Sequence, residues 1–128
     1  MIVRTLAEVV STDRDVDTEL WRSRRLLLAK DGMGFSLHDT IIRTGGKLHL
    51  HYKHHLEAVY CIEGRGTVTT VPDGAVRRIE PGTVYALNEH DEHILEAEVE
   101  MRMVCVFNPP VTGQEVHGPD GAYAPSDP

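Results

Sequence analysis

The 128-residue chain has no run of 18 consecutive apolar residues, which argues against a membrane-spanning helix. It has only two cysteines, Cys61 and Cys105, and neither belongs to a C-x-x-C pair. A zinc ribbon or a dithiol redox pair is therefore not indicated, and both thiols are expected as small, reduced core residues. Basic charge is also scarce: 13 Lys and Arg stand against 20 Asp and Glu, a net charge of −7. The densest basic cluster, Arg22, Arg24 and Arg25, is too small to form a stripe, so no nucleic-acid partner is expected. The opening Met1-Ile2-Val3-Arg4 carries neither an apolar h-region nor a cleavage pattern, and a cytoplasmic protein is expected.

What is present is ordinary for a globular chain, with 41% apolar and 26% charged residues. The length suits a single domain with a core of its own. Helix is expected only in the first twenty residues, where Leu6, Val9 and Val10 have helical spacing and residues 13–19 are polar and irregular. From Trp21 onward short strands alternate with turns. They read as Arg24 to Leu28, Ser36 to Arg43, Leu48 to Tyr52, Glu57 to Ile62 and Gly66 to Val71. Ala75 to Ile79, Val84 to Leu87, Ile94 to Ala97 and Met101 to Phe107 follow. Glu63-Gly64 and Pro72-Asp73-Gly74 read as turns between them. The expected fold class is all-β, a sandwich or barrel. It divides into an N-terminal segment (1–20), a barrel (21–108) and an irregular tail (109–128) rich in Gly and Pro.

Side chains on a strand alternate faces, so residue parity predicts which groups meet. Glu57, Val59 and Cys61 share one face, as do Thr83, Tyr85 and Leu87. The same holds for His93, Leu95 and Ala97, for Met101, Met103, Cys105 and Phe107, and for Ser36, His38, Thr40 and Ile42. If these are the inward faces, Glu57, Tyr85 and His93 all point into the barrel. Each has a plainer alternative: a solvated strand glutamate, a core tyrosine with a satisfied hydroxyl, an exposed loop histidine.

Four of the eight histidines, His49, His51, His54 and His55, lie within seven residues, just ahead of Glu57 and Gly64. This tract resembles the first motif of the cupin superfamily, in which a His-x-His pair precedes a glutamate and a glycine. The register differs. Counting back from Glu57, the pair should fall on Leu50/Tyr52 or His51/Lys53. Adjacent His54 and His55 cannot both point inward, so at most one or two of the four are expected to line a cavity. The second motif is also altered. Pro81-x-Gly82 is followed by Tyr85 where histidine is usual, and His93 comes after it. Glu, Tyr and His together would form a set of hard donors suited to Fe(II), with Mn(II) or Zn(II) as alternatives.

The segments from His51 to Gly64, His90 to His93, Cys105 to Pro110, Thr112 to His117 and Asp120 to Ala124 resemble the ectoine synthase family of cupins along essentially the whole chain. The resemblance implies a single jelly-roll barrel and a hydro-lyase reaction. In that reaction the free α-amine of N-γ-acetyl-L-2,4-diaminobutyrate attacks its own acetamide carbonyl, water leaves, and the cyclic amidine ectoine forms. It implies Glu57, Tyr85 and His93 as metal ligands. It implies a substrate pocket of Trp21, Ser23, Arg25, His38, Thr40, Cys105 and Phe107, with Arg25 on the substrate carboxylate. Tyr52, Glu115 and His117 become the acid and base candidates, with roles unassigned. A homodimer is expected by family analogy. The alternatives are a divergent metal-dependent cupin enzyme, such as a dioxygenase or isomerase, and a non-enzymatic cupin that binds a small molecule.

Overall fold

The computed structural model describes residues 1–113. The first element, α1 (Leu6–Val9), is a single turn closed by a capping box. The Thr5 hydroxyl accepts the Glu8 N–H at 3.3 Å, and the Glu8 carboxylate accepts the Thr5 N–H at 3.2 Å. Eight strands follow: β1 (Asp15–Asp17), β2 (Trp21–Leu27), β3 (Ser36–Ile42), β4 (Lys47–Leu50), β5 (Leu56–Thr70), β6 (Val76–Ile79), β7 (Val84–Leu87) and β8 (His93–Asn108). All pair antiparallel in the order β1-β2-β3-β8-β5-β6, with β4 on β8 and β7 on β5.

Four elements differ from the sequence reading, one of them a single 3₁₀ turn, Ala29–Asp31, beyond the first twenty residues to which helix was confined. β1 lies in the stretch expected to be irregular. Its residues are polar, so no period-two apolar pattern announces it. Main-chain pairing with β2 makes it a strand, together with a fork–fork contact in which Arg22 donates to Asp15 at 2.9 and 2.6 Å. The segments Glu57 to Ile62 and Gly66 to Val71 form one strand, β5, of 15 residues. Ile94 to Ala97 and Met101 to Phe107 likewise form one strand, β8, of 16 residues.

Glu63-Gly64 is a bulged bend and not a reversal. The β5–β8 register shifts repeatedly between Cys61 and Gly66. Gly64 has φ of +82°, and a Cβ there would sit 2.0 Å from the Glu100 carbonyl oxygen. A Cβ on Gly66 would sit 2.0 Å from the Glu96 oxygen. The two glycines let the long strands cross at backbone contact distance while they bend.

The bend gives each long strand two sets of partners. The first half of β5 pairs with β7 and the second half of β8; its second half pairs with β6 and the first half of β8. β4 joins the first half of β8, and β3 joins the second. The sheet folds over one core, in which Val68, Ile79 and Leu95 share a cluster with Val59, Met103 and Phe107. This is an all-β architecture, one antiparallel sheet over one core.

Two ion clusters fix its outside. Asp39 on β3 accepts from Arg24 at 2.6 Å and Arg102 at 2.7 Å, tying β2, β3 and β8 together. Asp31 accepts from Arg4 at 3.2 Å, Arg14 at 3.1 Å and the Leu28 N–H at 2.9 Å, which fastens the N-terminal segment to the barrel. The start of the tail is part of the core. Val111 is fully buried, donating its N–H to Ser36 Oγ at 3.0 Å and accepting from the Ala29 N–H at 2.9 Å.

Candidate active site

Cross-strand register brings residues from five strands onto one inward face. One row runs Arg25, His38, Cys105, Val59, Tyr85 across β2, β3, β8, β5 and β7. A second runs Ser36, Phe107, Glu57, Leu87, and a third runs Ser23, Thr40, Met103, Cys61. A pocket partly open to solvent lies over these rows. Of the residues singled out in the sequence, Trp21, Ser23, His38, Thr40, Tyr52, Glu57, Tyr85, Cys105 and Phe107 line it. Inward parity therefore holds for all five strand faces read from the sequence.

One wall is a polar relay. Ser23 Oγ stands 3.1 Å from His38 Nδ1, and His38 Nε2 stands 3.0 Å from Ser36 Oγ. Aromatic rings adjoin it. Phe107 meets Tyr52 edge-on at 5.1 Å between ring centroids and His38 at 5.2 Å. Such a pocket, apolar with a few placed polar groups, suits a small molecule.

At the β5–β7 side the electrostatics are unusual. Burial pushes the Glu57 carboxyl up to about 8, against a hydrogen bond with the Cys105 thiol that pulls it down. Burial raises the Tyr85 phenol well above its ordinary value, and the neighbouring Glu57 charge raises it further. Burial lowers His93, which favours the neutral imidazole. Its Nδ1–H donates to the Asp91 carbonyl at 2.9 Å, which leaves the lone pair on Nε2. That nitrogen is buried and has no hydrogen-bond partner among the described residues. The His93 ring centroid lies 6.5 Å from that of Tyr85 and 6.2 Å from that of Tyr52.

These residues fit a divalent cation. A nearby positive charge reverses the unfavourable ionisation of a carboxyl and a phenol, and it occupies an imidazole lone pair. A carbonyl fixing the far nitrogen of the imidazole is the usual outer-shell arrangement of a metal-binding histidine. Among the described residues no three His, Cys, Asp or Glu side chains converge, so the fit depends on Tyr85 as the third donor.

Other expected residues stand elsewhere. Arg25 is fully buried on the pocket face but does not line the pocket. Its Nη1 donates to the Gly113 carbonyl at 3.3 Å, while Nε and Nη2 have no hydrogen-bond partner among the described residues. None of the four clustered histidines lines this pocket. His49 is exposed and pairs with Glu92 at 2.6 Å, and His54 is exposed. His51 borders a larger outer groove that Tyr85 also lines. His55 is buried, perpendicular to Phe107 at 5.9 Å. Glu115 and His117 lie outside the described residues. Of the apolar wall, the sequence reading placed Leu95 and Met103 on inward faces but missed Leu48 and Leu50. Their signal was available, since Leu48, Leu50 and Tyr52 share the parity opposite to His49 and His51.

A sequence model of the ectoine synthase family matches residues 1–127. The chain belongs to the ectoine synthase family. An L-ectoine synthase from Desulfatibacillum aliphaticivorans is 62% identical over 125 residues, spanning 96% of both chains. The crystal structure of ectoine synthase from P. lautus superposes with a TM-score of 0.89 at 56% identity, covering 94% of this chain and 87% of that one. An RmlC-like cupin from Shewanella frigidimarina has a TM-score of 0.63 at 16% identity, covering 74% of this chain and 82% of its own, a likeness of fold alone. The family and the cupin fold expected from the sequence are thus both borne out.

Proposed function

We propose that this ectoine synthase family member uses the pocket to close N-γ-acetyl-L-2,4-diaminobutyrate into ectoine. The α-amine nitrogen bonds to the acetamide carbon, the carbonyl oxygen leaves as water, and a C=N bond remains. This makes the chain a hydro-lyase working on a small molecule.

The reaction is intramolecular, so much of its advantage comes from holding a flexible substrate folded on itself. The aromatic wall of Trp21, Tyr52 and Phe107 shapes that fold and keeps bulk water out, which favours a dehydration. Ser23, His38 and Thr40 orient the polar groups. Arg25 holds the substrate carboxylate; a fully buried guanidinium with two nitrogens lacking a hydrogen-bond partner among the described residues supports an anionic partner. The attacking amine must be neutral and the departing oxygen must be protonated. Tyr52, Glu115 and His117 are the groups assigned to move those protons. Glu57, Tyr85 and His93 would hold a divalent cation, Fe(II) in the first instance with Mn(II) or Zn(II) as alternatives, which when bound polarises the acetamide carbonyl.

The observation that carries the site assignment is the buried Nε2 of His93, which has no hydrogen-bond partner among the described residues, beside Tyr85. Metal analysis and turnover of Glu57→Ala, Tyr85→Phe and His93→Ala test it. Each is expected to lose bound metal and to slow turnover by about 100-fold or more. Full activity of rigorously metal-free wild type would overturn the metal assignment.

The working unit is taken as one domain over residues 1–128, with segment 1–20, barrel 21–108 and tail 109–128, in the cytoplasm. A homodimer is supported by the outward face of β5 and β7, where Leu56, Tyr60 and Val84 are exposed. Light scattering giving a monomer mass at micromolar concentration would refute it.

A further inference from the structure

The loop between β7 and β8 carries a residue that the assigned site does not use. His90 has a positive φ of 53°, a conformation few residues with a Cβ adopt and which His, Asn and Asp tolerate best. Its Nδ1 lies 2.9 Å from the carbonyl oxygen of Tyr52. A carbonyl only accepts, so Nδ1 carries the hydrogen. Tyr52 falls between the end of β4 at Leu50 and the start of β5 at Leu56, where strand pairing does not fix the chain. The residue after His90 supplies the carbonyl that orients His93. Two successive residues of one loop thus hold the main chain of Tyr52 and the imidazole of His93. The loop is itself seated on the barrel, through the Glu92–His49 pair and the Val71 N–H on the Glu92 carbonyl at 2.9 Å.

We propose that His90 is a positioning residue for the ring closure. Its Nδ1–H ties Tyr52 to the loop that orients His93, and so sets where the Tyr52 phenol stands across the pocket. His90 does not itself line that pocket. The inference rests on Tyr52 acting in the site, as proposed above. Misplacing a reacting group by about 1 Å costs up to about 100-fold in rate, so the effect belongs in kcat more than in substrate binding.

The test uses full-length protein loaded with Fe(II), with kcat, KM, bound iron and melting temperature measured on each variant. His90→Gly accepts the positive φ but has no side-chain donor. His90→Asn accepts the same φ and places an amide N–H near the position of Nδ1. The expected result is a kcat lower by about 10- to 100-fold in His90→Gly, with KM and bound iron little changed. His90→Asn is expected to recover most of the rate. If His90→Gly does not fold, His90→Asp replaces it; it tolerates the same φ, but its carboxylate only accepts, so it should be slow where Asn is fast. Wild-type kcat in His90→Gly, equal loss in Gly and Asn, or loss explained by missing iron would each overturn the proposal. Tyr52→Phe in the same assay separates the two levels. Unchanged kcat there sinks the role of Tyr52, whereas a fall there without one in His90→Gly sinks only the positioning role.

Discussion

Glu57 is the residue at which packing and chemistry conflict most openly. A carboxyl in this interior disfavours its charge, and the Cys105 thiol supplies only partial relief. Glu57→Gln keeps the volume and removes the charge. The metal-free variant is therefore expected to melt at or above the temperature of metal-free wild type, while its affinity for metal falls by about 100-fold or more. Thermal denaturation beside a metal titration reads both. A variant that melts lower yet binds metal normally would mean that Glu57 is a structural core group. This residue was legible in the sequence because the altered cupin spacing and the strand parity both selected it. Arg25 was legible only through the family resemblance, since nothing in Trp21-Arg22-Ser23-Arg24-Arg25 distinguishes the buried arginine from Arg24, which pairs with Asp39 on the outer face. The roles of His55 and His90 were not legible. Each depends on a contact between segments far apart in the chain.

Among the elements, β5 and β8 decide the architecture, and the bend at Gly64 decides β5. Gly64→Ala would place a methyl group at 2.0 Å from the Glu100 oxygen on a backbone with φ of +82°. A loss of roughly 3 kcal/mol or more is expected by chemical denaturation. A loss below about 1 kcal/mol would show that the two strands separate easily at this crossing. The sequence made two strands of each because a glycine-flanked bend and a charged outward stretch look like a turn in one dimension. The faces read from the sequence survived that error: inward residues keep odd numbers throughout β8, His93 to Ala97 then Met101 to Phe107, whereas in β5 they pass from odd (Glu57, Val59, Cys61) to even (Gly66, Val68) across the bulge, beyond the stretch whose face was read. The misread boundaries therefore left the facing residues correct. β1 was missed for the opposite reason, having pairing without an apolar pattern.

For the whole molecule, the N-terminal segment is tied to the barrel by strand pairing, by the buried Val9 and by charge, and the charged part of its attachment should depend on pH. Burial tends to raise the Asp31 carboxyl, but the Leu28 N–H, Arg14 and Arg4 outweigh it and hold it at about 2 against an ordinary 3.8. A carboxyl depressed on folding stabilises the fold fully above its unfolded value and loses that contribution as pH falls through the folded one. Asp31→Asn is thus expected to destabilise by roughly 1 to 2 kcal/mol near neutrality. The gap from wild type should close between pH 3.8 and about 2, and a gap independent of pH would assign the loss to packing. The barrel so assembled places the Glu57 carboxyl and the Tyr85 phenol in the pocket lining, with the His93 ring 6.5 Å from that of Tyr85 between centroids. The most direct test of what that pocket does is turnover of N-γ-acetyl-L-2,4-diaminobutyrate by purified protein loaded anaerobically with Fe(II), read by chromatography for ectoine. The account predicts ectoine in the loaded protein and none above background in the metal-free protein. Folded, iron-loaded protein that makes no ectoine would contradict it.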